Sequence, residues 1–130
     1  MHIMIKASLF VLTSSLAFNA AAASHVSEVW TCKLNEGKKI EEVHKANSEW
    51  VKTINGGTDV GDIRSWTVEP VVGKQENFLF VDSYPSLAAW AAAKEFQESD
   101  EGKALFEKIT EDFKGLFDCT SNQLYNETAN

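Results

Sequence analysis

Few residues in this chain have the type and setting to do chemistry, and each has an ordinary structural reading beside the functional one. His44 is the only histidine inside the stretch that patterns as folded, with His25 standing near its start. An imidazole at a pocket lip would serve as a general base or ligand group. At the margin of the helical stripe Ile40, Val43 and Trp50, however, a partly exposed surface role is the expectation. Asn47 falls near the centre of that stripe, where burying an amide costs free energy unless its hydrogen bonds are met. A bond to strand backbone is the structural account, and a ligand contact the functional one. Lys94 poses the same puzzle on a second helix, aligned with Leu87, Trp90 and Ala91; its stem is expected to snorkel past Trp90. Arg64, the only arginine, shares a strand face with Trp66 and Val68. A guanidinium beside an aromatic wall can hold a carboxylate or phosphate-bearing small molecule. The structural reading, which is preferred, is an edge-strand charge that discourages sheet-to-sheet aggregation. His44, Asn47, Arg64, Trp66, Trp90 and Lys94 are thus the candidate ligand-lining residues, and a catalytic role is assigned to none.

Counts and spacing disfavour several chemistries. One histidine without a near cysteine is a poor metal site, and the carboxylates pattern along solvent faces, so no metal is expected. With 12 Lys and Arg against 19 Asp and Glu, the net charge is −7. Nothing here neutralises a row of phosphates, which argues against nucleic acid as a partner. No G-x-S-x-G elbow supports a Ser-His-Asp triad. The glycines of residues 55–62 invite a phosphate-loop reading, but no Gly-Lys-Ser/Thr follows and the next element patterns as a strand. That segment is expected to be a plain connector.

The first 23 residues, MHIMIKASLFVLTSSLAFNAAAA, read as an address. Lys6 is their only formal charge, and the apolar run 7–18 has the length of a signal-peptide core, short of the roughly 20 residues that span a bilayer. Ala21-x-Ala23 offers a cleavage site before Ser24; the alternative is a retained anchor. A periplasmic or secreted location with no membrane attachment after cleavage is expected. Export changes how the two cysteines read. Cys32 and Cys119 belong to no C-x-x-C motif, and an oxidising compartment permits a bridge between them. A structural disulfide is expected, two free buried thiols being the alternative. Closing so long a loop would contribute roughly 4–5 kcal/mol as an upper figure on a chain-entropy model.

These residues must be positioned by a small set of elements. The 130 residues suffice for one domain, expected over 24–130. Residues 26–34 are rich in β-branched and aromatic types and read as a first strand. The spacing of Ile40, Val43, Trp50, Val51 and Ile54 predicts an amphipathic helix over 38–54. Residues 63–72 and 77–83 read as a second and third strand joined by a turn at 73–76. Phe78-Leu79-Phe80-Val81 is apolar on both faces, as in a strand covered on both sides. Ser86 caps a helix over 87–98, and Ser99-Asp100-Glu101 starts another, with acids where the helix dipole favours them. Leu105, Phe106, Ile109, Phe113, Leu116 and Phe117 are expected to form its buried stripe. Residues 119–125 alternate as a last strand, before a tail at 126–130 that holds an idle glycosylation sequon, Asn126-Glu127-Thr128.

The order β-α-β-β-α-(α)-β is a ferredoxin-like pattern, an α+β four-stranded antiparallel sheet with helices on one face. There the last strand lies antiparallel beside the first, bringing Cys119 opposite Cys32. The arrangement resembles the dimeric α/β-barrel superfamily, which includes antibiotic-biosynthesis-monooxygenase-like domains. The chain is also similar to uncharacterised small secreted bacterial proteins in Trp30-Thr31-Cys32, Ala46-Asn47-x-x-Trp50-Val51, the run from Phe78 to Leu87 ending in Trp90, and Cys119-x-Ser121-Asn122-x-Leu124-Tyr125. The superfamily resemblance implies a homodimer, two sheets facing each other with helices outside. Haem degradation, found in one branch, relies on a first-strand Asn, a Trp and a helix His; here the first strand lacks a central Asn and no His follows His44. No cofactor is expected. A non-catalytic small-ligand-binding or stress-related protein is the leading reading. A cofactor-independent monooxygenase or isomerase with His44 or Asn47 near the substrate, and a purely structural exported protein, are the alternatives.

Overall fold

The computed structural model describes residues 24–73 and 76–130. The signal peptide expected at residues 1–23, and part of the turn expected at 73–76, lie outside the described residues. Four strands and three helices follow in the order β1 (Val26–Leu34), α1 (Ile40–Gly57), β2 (Arg64–Val68), β3 (Phe78–Tyr84), α2 (Leu87–Glu98), α3 (Asp100–Phe113) and β4 (Phe117–Asn126). The sheet is antiparallel throughout with strand order β2-β3-β1-β4, the ferredoxin-like layout.

Period-two alternation divides the sheet into two faces. Val26, Glu28, Trp30 and Cys32 on β1 pair directly with Tyr84, Asp82, Phe80 and Phe78 on β3, and these positions face the helices. Val26 and Tyr84 pack with Ile54, Ile63, Ala89, Ala93, Phe106 and Ile109 at one end. Cys32, Phe78 and Phe80 pack with Val43 and Leu116 at the other. Between these two apolar clusters, the covered face carries Glu28 and Asp82. The opposite face carries Val29, Thr31, Leu79, Val81, Trp66 and Val68 in register, and no helix of the described residues packs on it.

Helix ends follow local chemistry. Glu42 Oε2 accepts from the Lys39 N–H at 2.8 Å, so α1 starts at Ile40. It runs three residues beyond the expected end, through Gly56 and Gly57, and stops where Thr58 turns both its N–H and its hydroxyl back onto the Ile54 carbonyl. Asn55, expected in a loop, sits on the last turn of α1 and clasps the start of β2. Its Oδ1 accepts from the Ile63 N–H at 3.0 Å and its Nδ2 donates to the Ile63 carbonyl at 2.8 Å. Strand β2 is shorter than the expected 63–72, because Pro70 has no N–H for the ladder; Val71 and Val72 beyond it are exposed. Ser86 and Ser99 cap α2 and α3, accepting from the N–H groups of Ala89 and Gly102. Gly102 has no room for a side chain, since a Cβ there would fall 1.8 Å from the Phe96 carbonyl oxygen.

Two expected stripes are corrected. Leu105 is half exposed, and Phe117 belongs to β4 rather than to the buried face of α3. Gly115, at φ +72°, takes a left-handed turn that only glycine adopts freely and swings the chain from helix into strand. On α2 the buried residues are Ala89 and Ala93, and Leu87 and Ala91 are exposed. Strand β4 runs beside β1 with a bulge at Thr120, so that Thr31 faces Ser121 and Cys32 faces Cys119. The two cysteines form a disulfide across this pair. Among the described residues, no helix is long and apolar enough to cross a membrane.

Candidate functional site

The middle of the covered sheet face brings two carboxylates together on neighbouring strands. Glu28, only 3% exposed, is held by three donors from two elements. Lys94 Nζ lies 2.6 Å from Oε2, and Trp90 Nε1 donates to the same oxygen at 3.0 Å. Asn122 Nδ2, from β4, donates to Oε1 at 2.8 Å. Trp90 and Lys94 are one helical turn apart on α2, a spacing that aims both at one point. The Lys94 stem is not extended to solvent as expected. Its ammonium turns inward, 5.7 Å from the Trp30 ring centre, because a buried carboxylate costs far more alone than when paired.

Asp82 stands opposite Glu28 and ends a hydrogen-bond chain. Asn47 Nδ2 donates to Ser65 Oγ at 2.8 Å, and Ser65 Oγ donates to Asp82 Oδ1 at 2.5 Å. The Asn47 Nδ2 is therefore bonded to a side-chain hydroxyl rather than to strand backbone. Burial pushes the Asp82 pKa up to about 6 from its ordinary 3.8. The Ser65 hydroxyl and Lys94 pull it down, and Glu28 pushes it further up. Tyr84, two residues on, has its pKa raised by burial first and by Asp82 and Glu28 after it. Its hydroxyl is buried without a hydrogen bond of ordinary geometry.

A cavity of about 230 Å3 opens beside this cluster, between sheet and helices. Its walls are Trp30, Trp50, Phe80, Phe113 and Phe117, and its polar lining is Asn47, Asp82, Lys94 and Gln97, with Cys119 at one side. Gln97 has its bonds met, accepting from Trp50 Nε1 at 3.4 Å and donating to the Ala93 carbonyl at 3.2 Å. Apolar walls with a few converging polar groups are the usual make-up of a small-molecule site.

The candidate residues divide. Asn47 and Lys94 line the cavity, and Trp90 reaches the same polar cluster through Glu28. His44 is exposed on the outer side of α1, 3.9 Å from Glu69. Arg64 and Trp66 lie on the uncovered sheet face, with Arg64 paired to Asp62 at 3.0 Å. Sequence reasoning missed Glu28, Asp82, Ser65 and Tyr84, and placing all the carboxylates on solvent faces was an error. The signal was present: Val26-x-Glu28-x-Trp30-x-Cys32 and Phe78-x-Phe80-x-Asp82-x-Tyr84 each put an acid into an apolar alternation. Among the described residues, no three His, Cys, Asp or Glu side chains converge as metal ligands do.

Element order and sheet topology together define a ferredoxin-like domain. No protein-family model matches the sequence, and no curated protein matches it. Similar solved structures include SnoaB, a cofactor-independent oxygenase from Streptomyces nogalater, at 10% identity over 83% of this chain and 97% of that one, with a TM-score of 0.58. They also include a NIPSNAP family protein of unknown function from Agrobacterium tumefaciens, at 14% identity over 82% and 90%, TM-score 0.59. A second NIPSNAP protein from that organism matches at 15% identity over 82% and 88%, TM-score 0.54. At these identities the likeness is one of fold.

Proposed function

We propose that this chain is an exported, homodimeric binding protein for a small, ring-containing molecule held between sheet and helices. The observation that carries the reading is the aromatic-walled cavity beside Asp82 and Lys94. Its volume is below the roughly 300–1,000 Å3 of drug-sized sites, which suits a single-ring ligand. A purely structural role would be better served by a filled interior. The enzymatic alternative loses His44, which lies outside the cavity, and retains Asn47 in the lining with Asp82 as its base.

Export is supported by the Cys32–Cys119 bridge, since structural disulfides persist in oxidising compartments, and by the leader-like pattern of residues 1–23. The single domain over 24–130 is the unit that would be released. Dimerisation is supported by the uncovered sheet face, where Trp66 is 48% exposed beside Val68. A second copy laid on that face would cover Trp66 and bring Arg64 to its rim.

Native mass spectrometry of the protein purified from its own periplasm tests the whole reading. The expected species is a dimer of chains beginning near Ser24, two daltons light from the disulfide, with a small molecule retained. A monomer with two alkylatable thiols and no bound mass refutes it.

A further inference from the structure

The geometry points to a small organic cation, a protonated primary amine on an aromatic ring, as the ligand class of this cavity. The inference rests on reading the cavity as a ligand site, and adds the charge of what fills it.

The cavity wall carries one carboxylate, Asp82, and one ammonium, Lys94, whose charge is matched by Glu28 behind the wall. Lys94 is held 2.6 Å from Glu28, which also accepts from Trp90 and Asn122, so that carboxylate is saturated. Asp82, 7% exposed, lines the cavity with one oxygen bonded by Ser65 and no cation at bonding distance among the described residues. Asn47 donates its Nδ2 to Ser65, which leaves its carbonyl oxygen as an acceptor. With Lys94 matched by Glu28, the ionised Asp82 carboxylate is the unmatched charge of the cavity, and it and the Asn47 carbonyl oxygen are acceptors open to a ligand. Trp50, Phe80, Phe113 and Phe117 complete an aromatic lining, which favours a cation over an anion where a ring face meets it. An anion would meet the Asp82 carboxylate without a free guanidinium to offset it, Arg64 being on the other face of the sheet.

Binding should then be linked to proton release. The ionisable groups facing the site are Glu28 from β1, Asp82 and Tyr84 from β3, and Lys94 from α2. Helix α1 presents Asn47 and Trp50, α3 presents Phe113, β2 presents Ser65, and β4 presents Asn122 and the bridged Cys119. Of these, Asp82 titrates near pH 6. An ammonium ligand binds its ionised form, so affinity rises with pH up to about 6 and levels off above 7.

The test is calorimetric titration of the disulfide-intact protein with benzylammonium, benzyl alcohol and benzoate, with tryptophan fluorescence as a second readout. Benzylammonium is expected to bind at least about tenfold more tightly than benzyl alcohol, with benzoate weakest. Its affinity in the unmodified protein should rise about tenfold from pH 5 to 7, a measurement that needs no variant. Asp82→Asn should bring benzylammonium down to the level of benzyl alcohol and remove the pH dependence. Binding of benzoate or benzyl alcohol as tight as that of benzylammonium, or a flat pH profile, overturns the cation assignment and leaves the cavity as a ligand site. Binding of none of the three, with no mass retained by the native protein, overturns both.

Discussion

Replacing Lys94 with Met removes the ammonium while keeping most of the apolar stem, and leaves Glu28 as a carboxylate with 3% exposure. Breaking a buried pair from one side typically costs about 3–5 kcal/mol. Here Trp90 and Asn122 still donate to Glu28, and the Lys94 side chain is 33% exposed, so the expected loss is about 2–3 kcal/mol at neutral pH. Glu28→Gln should cost less, about 1–2 kcal/mol, because a stranded lysine can swing to water and a stranded glutamate cannot. In the double variant the two losses should not add, leaving a coupling of about 1–2 kcal/mol. Equilibrium urea unfolding followed by tryptophan fluorescence, disulfide intact, measures all of this. A Lys94→Met loss below about 1 kcal/mol, or a larger loss for Glu28→Gln, would refute the reasoning.

Asp82 makes a separate contribution of opposite sense to the usual carboxylate. Its folded pKa of about 6 exceeds its ordinary 3.8, so the folded state binds the extra proton and stability falls as pH rises between those values. The fall is at most about 3 kcal/mol, and Asp82→Asn should flatten it in urea titrations from pH 4 to 7. Replacing Cys32 and Cys119 by Ala opens a loop with sequence separation 87. The expected loss is roughly 4–5 kcal/mol on the chain-entropy model, read as a lower urea midpoint, and an unchanged midpoint would contradict it.

The architecture was legible because its signals are periodic and local. Serine caps, the β-branched and aromatic run of β1 and the helical stripe of α1 all survive as the elements they foretell. The partnership of Cys32 with Cys119 followed from strand order, since an antiparallel last strand must set its start against the end of the first. The misses share a different cause. Gly56-Gly57 ends helices by propensity, yet Asn55 and Thr58 provide a tertiary tie and a cap that carry α1 through both. Phe117 fits the helical spacing of Phe113, and only the left-handed turn at Gly115 assigns it to a strand. The site was half visible. Asn47 and Lys94 stood out as polar residues on apolar helix faces, whereas Glu28 and Asp82 were hidden by the habit of placing acids outside. What makes those acids tolerable is their surroundings: an ammonium and an indole N–H from α2, an amide from β4 and a hydroxyl from β2. No single stretch of sequence contains that environment.

The two halves of the disulfide live in different media. Cys119 is exposed at the cavity side, whereas Cys32 is fully buried among Val43, Phe78, Phe80 and Leu116. An attacking thiolate reaches the Cys119 sulfur, and the electron pair of the broken bond must then leave on Cys32. An anionic leaving group in an apolar interior is a poor one. Reductants should therefore act mainly on molecules that have already opened, and survival of the bridge in their presence should keep time with the unfolding rate.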